Sequence, residues 1–139
     1  MYRIKSILLL SQKSKKTEHF INNFFEFHLA NQIVIVETQS ECNSYLEFLS
    51  NSKNSLCPDI IILELNELLS GGIEFLENFS KLFFENKNEV RLIFTVNSPD
   101  TKAIATLQVL GEFEFIKTPS SADVLFNFLI SKPPVLEIV

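Results

Sequence analysis

Short apolar runs alternate along the chain with longer segments in which apolar residues recur every three or four positions. The runs have the length of β-strands and are nearly continuous rather than alternating, a pattern typical of strands buried on both faces. Five such runs predict five strands: SILLL (6–10), QIVIVE (32–37), DIIILEL (59–65), VRLIFTV (90–96) and FEFIK (113–117).

Each predicted strand is followed by a segment with helical periodicity. The helix after the fourth strand has Ser98 as its candidate N-cap, Pro99 at its first position and Gly111 at its end. The last helix, 120–130, opens on a serine cap. The apolar stripes of the first three helices are Phe20, Phe24 and Phe27; Cys42, Tyr45, Leu46 and Leu49; and Ile73, Leu76, Phe79 and Phe83.

Five consecutive strand-then-helix units predict an α/β fold in which a parallel sheet lies between two layers of helices. Because crossovers between parallel strands are right-handed, few topologies remain for five strands. We expect the doubly wound (βα)5 flavodoxin-like three-layer sandwich with strand order 2-1-3-4-5. The 139 residues suit one domain, which we place at 1–132, followed by a short C-terminal tail at 133–139 and no output domain.

Charge and apolar content narrow the classes of function. A formal net charge of −5 without a patch rich in Lys and Arg argues against direct binding of nucleic acid. No apolar run is long enough to span a membrane or to serve as a secretion signal, so we expect no membrane association and a cytoplasmic location. Cys42 and Cys57 fit no metal-ligand or redox spacing and are expected to be buried thiols in a reducing compartment.

Polar side chains follow the strands where this topology places its binding crevice, between the carboxyl ends of the first and third strands. Ser11 and Gln12 follow strand one, Glu64 ends strand three, Thr95 ends strand four and Thr118 follows strand five. Because the carboxyl ends of parallel strands meet at one edge of the sheet, we expect these side chains to converge there.

Taken together, these features resemble a bacterial two-component receiver (CheY-like) domain over nearly the whole chain. Glu64 falls on the position of the aspartate that is phosphorylated in that family, and Gly72 on the glycine eight residues later. Asn66 occupies the position whose backbone carbonyl helps to ligate magnesium in the family. By the same resemblance, Thr95 and Phe115 are the switch positions of the fourth and fifth strands.

The chain departs from the family pattern at the positions that carry its chemistry. Ser11 and Gln12 stand where the family has an acidic pair that holds Mg²⁺, and Thr118 stands where it has a lysine. Lys117 lies one position earlier, so its side chain should point to the opposite face of the strand. The Thr118–Pro119 bond matches the family's cis peptide, and we expect it to be cis here as well.

These departures bear on phosphorylation, because phosphoryl transfer to a carboxylate needs a cation that offsets the charge of the phosphate oxygens. Mg²⁺ prefers carboxylate ligands, and Glu64 is the carboxylate that remains. We therefore expect weak or absent Mg²⁺ binding, no other metal or cofactor, and no phosphorylation of Glu64. Donors at Ser11, Gln12, Thr95 and Thr118 could satisfy Glu64 as a structural carboxylate; the alternative is that Glu64 mimics a phosphoaspartate.

The resemblance and its departures predict a stand-alone pseudo-receiver that signals through phosphorylation-independent protein contacts and is not an enzyme. Its partner would be a histidine kinase or a downstream signalling protein, bound through the face of the fourth helix, fifth strand and fifth helix, which could also support a homodimer. Phe113, Phe126 and Phe128 are candidates for exposure there. Two alternatives stay open: a working phosphoacceptor in a histidine kinase phosphorelay, and a sensor of a small ligand in the altered crevice.

Overall fold

A computed structural model describes residues 4–11, 30–53, 55–65, 67–96 and 100–117, which include five strands of one parallel sheet. The strands are β1 (Ile4–Leu10), β2 (Ala30–Val36), β3 (Ile60–Glu64), β4 (Arg91–Val96) and β5 (Glu114–Lys117). Their order in the sheet is β2-β1-β3-β4-β5, so the predicted α/β class and the predicted 2-1-3-4-5 order are confirmed.

The middle of the sheet is buried because its strands are apolar on both faces. In β3, every residue before Glu64 is at most 1% exposed. β1 pairs with β2 along one edge and with β3 along the other, so that Leu8 lies between Val34 and Ile61. A continuous apolar sequence is therefore the signature of a strand that has neighbours on both edges and buried side chains on both faces.

Three described helices pack against one face of the sheet. They are α1 (Gln39–Ser50), α2 (Leu68–Ser80) and α3 (Thr101–Leu110), and a short 3-10 helix, Lys87–Glu89, precedes β4. Alternate side chains of β1, β3 and β4 form one buried cluster with apolar side chains from all three helices. None of the described helices is both long and apolar enough to cross a membrane. The predicted first and last helices and the 133–139 tail lie outside the described residues.

Side-chain caps define where two of these helices begin. The Thr38 hydroxyl accepts a hydrogen bond from the backbone N–H of Glu41, whose carboxylate in turn accepts one from the backbone of Thr38. α3 begins after Asp100, whose carboxylate accepts a hydrogen bond from a backbone N–H of the first turn. The prediction of Ser98 as this N-cap was therefore wrong, since Asp100 supplies both the acceptor and a negative charge at the positive helix end. Gly111 ends α3 as predicted.

Phenylalanine rings connect α2 to the sheet. The centroid of the Phe75 ring lies 5.5 Å from that of Phe79 and 6.3 Å from that of Phe94. Phe84 is buried and stacks on Phe79 at 5.9 Å, whereas Phe83 is 66% exposed. Assigning Phe83 to the apolar stripe was wrong because α2 ends three residues before it, and the helical period no longer decides which side chain faces the core.

The two phenylalanines around β5 differ in exposure. Phe113 was a candidate for exposure, but it is half-buried against the core, with its ring 4.8 Å from that of Phe94. Phe115 is 38% exposed on β5, the edge strand of the described sheet. Phe126 and Phe128 lie outside the described residues.

Both cysteines are buried and free, as predicted: Cys42 in α1 and Cys57 in the loop before β3. Burial raises the pKa of each thiol to about 12. Both thiols therefore stay protonated at neutral pH and pack as small apolar groups.

Candidate functional site

The carboxyl ends of β1 and β3 bring Ser11 and Glu64 side by side. Leu10 of β1 is the register partner of Leu63 of β3, so the next residue on each strand also faces its counterpart. The Ser11 hydroxyl donates a hydrogen bond of 3.0 Å to Glu64 Oε1. Ser11 is only 9% exposed and Glu64 is half-buried, so water competes only in part for this bond.

Thr95 lies in the same row of the sheet as Glu64. The two are register partners across β3 and β4, and Ile116 continues the row on β5. Register partners in a parallel pair point to the same face, and Thr95 is 3% exposed. Lys117 follows Ile116 and is turned to the opposite face by the strand period of two. The row therefore places the buried Thr95 hydroxyl beside Glu64 and the Ile116 side chain beyond Thr95.

Phe115, the other predicted switch position, lies on the opposite face of the sheet from Thr95. Its register partner is Phe94, whose side chain belongs to the core shared with α1, α2 and α3. The side chains of Thr95 and Phe115 are therefore separated by the sheet and do not meet.

Ser11 and Glu64 form the floor of a crevice of about 590 Å³ at this edge of the sheet. Two further carboxylates line it, and neither was singled out from the sequence: Glu37, which follows β2, and Glu67, which precedes α2. Searching every carboxyl end of a strand near β1 for polar residues would have found both. The other lining residues come from the same strand ends and helix starts: Leu10, Thr38, Gln39, Leu65, Ser70 and Gly71.

The crevice is acidic. Glu37, Glu64 and Glu67 line it, and none of its described lining residues is a lysine or an arginine. Glu67 accepts a hydrogen bond of 2.6 Å from the Ser70 hydroxyl, so it has a neutral donor as Glu64 does. The described part of the crevice would therefore repel an anion, because it supplies negative charge and no positive charge.

The described donors do not fit a magnesium site. Mg²⁺ requires a near-octahedral set of oxygen ligands, among which carboxylates supply the charge. Here the side chain beside Glu64 is the Ser11 hydroxyl, which donates to Glu64. Within the described ranges, no three His, Cys, Asp or Glu side chains are grouped so that they could hold one metal ion.

Part of the predicted site falls on residues that the structure does not describe. The cis conformation expected for the Thr118–Pro119 bond therefore stays a prediction. The same holds for the hydrogen bonds expected from the Gln12 amide and the Thr118 hydroxyl. The predicted positions outside the described residues are Gln12, Asn66, Thr118 and Pro119.

The fold recurs in solved bacterial signalling proteins. A two-component response regulator from Cytophaga hutchinsonii is similar with a TM-score of 0.67 at 20% identity, over 90% of this chain and 93% of that chain. A CheY-like response regulator from Mesorhizobium loti has a TM-score of 0.56 at 18% identity, over 90% and 95% of the two chains. A phosphorylated cyanobacterial phytochrome response regulator has a TM-score of 0.62 at 17% identity, over 90% and 88%.

Sequence comparison adds no closer relative, because no protein-family model and no curated protein matches this chain. At identities of 17 to 20%, the structural likeness establishes the fold, which is that of receiver domains. The function has to be argued from the crevice itself.

Proposed function

We propose that the chain is a receiver-like domain that acts in signal transduction through protein contacts, without phosphorylation of Glu64 and without Mg²⁺. Its likeness in fold to response regulators supports the signalling role. One observation supports the proposal that Glu64 is not phosphorylated. Glu64 accepts a hydrogen bond from Ser11 in a crevice whose described lining holds three glutamates and no Lys or Arg.

The physical reason is that the described lining of the crevice supplies no positive charge. A phosphoryl group that approaches a carboxylate is stabilised by cations on its oxygens. One cation about 4 Å from such an oxygen contributes about 4 kcal/mol at an effective dielectric constant of about 20, which is roughly a thousandfold in rate. The described lining of the crevice supplies no such cation, and Glu37 and Glu67 add negative charge beside Glu64.

Glu64 serves in this proposal as a structural carboxylate. It accepts a hydrogen bond from the Ser11 hydroxyl, which links the ends of β1 and β3. The buried hydroxyl thereby has an acceptor. A phosphoaspartate mimic would act best with a lysine to attract the carboxylate. The described part of β5 turns Lys117 to the opposite face, and this favours the structural role.

The surface for a protein partner is formed by the end of α3 and by β5. Val109 is 84% exposed, Leu110 44% and Phe115 38%. Apolar side chains at the surface of adjacent elements provide the kind of contact on which protein recognition depends. The partner class that fits a receiver-like fold is a histidine kinase or a downstream signalling protein, and the domain itself would have no catalytic activity.

The test is an amide NMR titration of the whole chain with Mg²⁺, followed by Mg²⁺ together with beryllofluoride, a mimic of the phosphoryl group. We expect no saturable shifts at Ser11, Glu64 or Thr95. A response regulator with an aspartate at the phosphorylated position controls for the reagent. Saturable shifts that start at Glu64 and extend to Phe115 would overturn the proposal and indicate a working phosphoacceptor.

Two variants make the same experiment sharper. Glu64→Asp shortens the side chain by one methylene, about 1.5 Å, but it adds no cation, so we expect it to stay silent as well. The matched variant combines Glu64→Asp with three substitutions that introduce charge: Ser11→Asp, Gln12→Asp and Thr118→Lys. Uptake of beryllofluoride by Glu64→Asp alone would show that the missing counter-charge is not the reason for inactivity.

A further inference from the structure

The outer edge of β2 has no neighbouring strand within the described part of the chain. β2 is the last strand of the sheet on its side, and β1 is its described neighbour. Its seven residues, ANQIVIV, include no charged residue and no proline. Charged residues and prolines are what usually keeps an edge strand from pairing with another chain. The sequence of β2 is therefore typical of a strand that accepts a further strand on its outer edge.

The pairing with β1 shows which backbone groups of β2 face outward. The Val36 carbonyl accepts a hydrogen bond of 3.0 Å from the backbone N–H of Ser11, so Val36 turns its backbone N–H and C=O towards β1. Because this direction alternates along a strand, Val34 does the same, whereas Ile33 and Ile35 turn their N–H and C=O outward. Within the described part of the chain, these outward groups have no hydrogen-bond partner.

An exposed aromatic side chain lies on the same flank of the molecule. Phe48 of α1 is 69% exposed. Elsewhere on α1, the Gln39 amide donates to the Gly71 carbonyl of α2 at 3.1 Å. The Ser50 hydroxyl donates to the carbonyl of Phe83, just after α2, at 3.0 Å. At about 100° per residue, Phe48 lies about 180° around the helix from Gln39 and about 160° from Ser50. Phe48 therefore points away from α2, towards the side where the sheet ends at β2.

Phe48 and Ile33 lie at a similar height along this flank. Ile33 is four residues before Glu37, which directly follows β2, and this corresponds to about 13 Å of strand. Phe48 is nine residues after Gln39, the first residue of α1, and this corresponds to about 13.5 Å of helix in the opposite direction. A two-fold axis through the outer edge of β2 at Ile33 would therefore bring Phe48 close to its counterpart in a second copy.

We propose that the chain forms a reversible homodimer in which β2 pairs antiparallel with β2 of a second copy, so that the two sheets become one. The register is centred on Ile33, which lies opposite its own counterpart, and Asn31 lies opposite Ile35. All three residues turn their backbone groups outward, so each opposed pair exchanges two hydrogen bonds. An interface around a two-fold axis uses the same surface of both copies, and two β-branched side chains at its centre add a cross-strand apolar contact.

The charges on this flank favour a second copy in the antiparallel orientation. Glu41 is exposed and lies about 10 Å from Phe48 towards the start of α1, and Lys53 is exposed beyond the end of α1. The two-fold axis sets the two α1 helices antiparallel, so Glu41 of each copy faces the end of the other helix at which Lys53 lies. A parallel arrangement would place like charges together. The surface of α3 and β5 proposed for a signalling partner stays free in this dimer.

The size of the interface sets the expected affinity. The seven residues of β2 span about 23 Å, and the sheet together with the layer of α1 is about 20 Å deep. Each copy thus contributes roughly 450 Å², which places the dimer at the lower end of known interfaces. We expect a dissociation constant on the order of 100 µM.

The test measures the mass and the amide exchange of the whole chain as functions of concentration. Sedimentation equilibrium between about 10 µM and 1 mM should show a shift from monomer to dimer. By mass action, the solvent exchange of the Ile33 and Ile35 amide protons, measured by NMR, should slow about threefold between 50 µM and 1 mM. The Val34 and Val36 amides, which already bond to β1, should not change. A monomer at 1 mM, or a dimer that leaves exchange at Ile33 and Ile35 unchanged, would overturn the proposal.

Two exposed phenylalanines provide matched variants. Phe48→Glu places a carboxylate close to its own counterpart near the two-fold axis and should weaken the dimer about tenfold or more. Phe83 is 66% exposed and lies on the side of α1 that is turned to α2. Phe83→Glu makes the same change of charge away from the interface and should leave the dissociation constant unchanged. Equal weakening by both variants would mean that overall charge governs association and that the assigned interface is wrong.

Discussion

Replacing Gly72 by alanine tests how tightly α2, which borders the crevice, packs against α3. Gly72 lies in α2, and an added Cβ would lie 2.7 Å from Leu107 Cδ1 and 3.0 Å from Leu107 Cδ2. Leu107 lies in α3 and is fully buried. Both methyl groups of the leucine lie within 3.0 Å of the added Cβ, so the leucine side chain would have to shift.

Two opposing contributions determine the size of the effect. Alanine is favoured over glycine in a helix interior by about 1 kcal/mol. Forcing an extra methyl group into a packed core costs about 1 to 3 kcal/mol, and we take the upper part of that range because Leu107, which has to shift, is fully buried. We therefore expect a net loss of about 1 to 2 kcal/mol in the free energy of unfolding, or about 3 to 8 °C in Tm.

The assay is urea unfolding followed by far-ultraviolet circular dichroism. Gly71→Ala is the neighbouring control, because its Cβ would lie 3.2 Å from Leu65 at a half-buried position and should cost less. Leu107→Ala on its own leaves a cavity, which the methyl group of Gly72→Ala would partly fill. The double variant should therefore be more stable than the sum of the two losses implies, by about 1 kcal/mol. Wild-type stability of Gly72→Ala, or strict additivity, would refute the reasoning.

Three further predictions concern stability, each measured by urea unfolding. Glu114→Ala should cost about 2 to 3 kcal/mol because it removes the carboxylate that pairs with the buried Arg91; Arg91→Met combined with Glu114→Leu should cost less. Lys87→Met should cost about 1 kcal/mol, since its ammonium binds three carbonyl oxygens around the end of α2. The pKa of Cys42 is raised from 9.0 to about 12, so its stabilising contribution is complete below pH 9 and is lost as the pH rises towards 12. Under reducing conditions, Cys42→Ala should reduce the alkaline loss by up to about 1.4 kcal/mol per pH unit.

The strand order and the pairing of Ser11 with Glu64 could be predicted from the sequence. The four residues of β3 before Glu64 are all apolar. A strand of this kind is stable only with buried side chains on both faces and a neighbouring strand on each edge, so it must lie in the centre of the sheet. Ser11 and Glu64 each come directly after an apolar run, and parallel strands bring such residues to one edge of the sheet. Alternation along β5 also predicts that Lys117 points to the face opposite Thr118; Thr118 lies outside the described residues, so this stays a prediction.

Features that depend on where the chain turns could not be predicted in this way. The periodicity of α2 does not extend beyond its last residue, and so it could not show that Phe84 rather than Phe83 reaches the core. The reciprocal bonds between Asn86 and Cys57 join residues 29 positions apart, and no local pattern indicates such a pair.

The neutral donor beside Glu64 leads to a final prediction about charge. Ser11→Asp would place a second carboxylate where the Ser11 hydroxyl now donates to Glu64 at 3.0 Å. At this partly buried position we expect a loss of about 2 to 4 kcal/mol at neutral pH from the lost hydrogen bond and from like-charge repulsion. Repulsion raises the pKa of the introduced carboxyl, so the penalty should shrink as the pH falls and this group binds a proton.

Ser70 and Glu67 provide the matched control, because the Ser70 hydroxyl donates to Glu67 at 2.6 Å where both side chains are exposed. Ser70→Asp should be nearly neutral, since water screens the repulsion and an acid in the first turn of α2 favours the helix dipole. Millimolar Mg²⁺ should restore part of the stability of Ser11→Asp and none to Ser70→Asp, because a carboxylate at the buried Ser11 position and the half-buried Glu64 would together begin a cation site. Equal stability of the two variants would mean that a second carboxylate beside Glu64 is tolerated without a cation. The charge-based reason for expecting no phosphorylation of Glu64 would then be wrong.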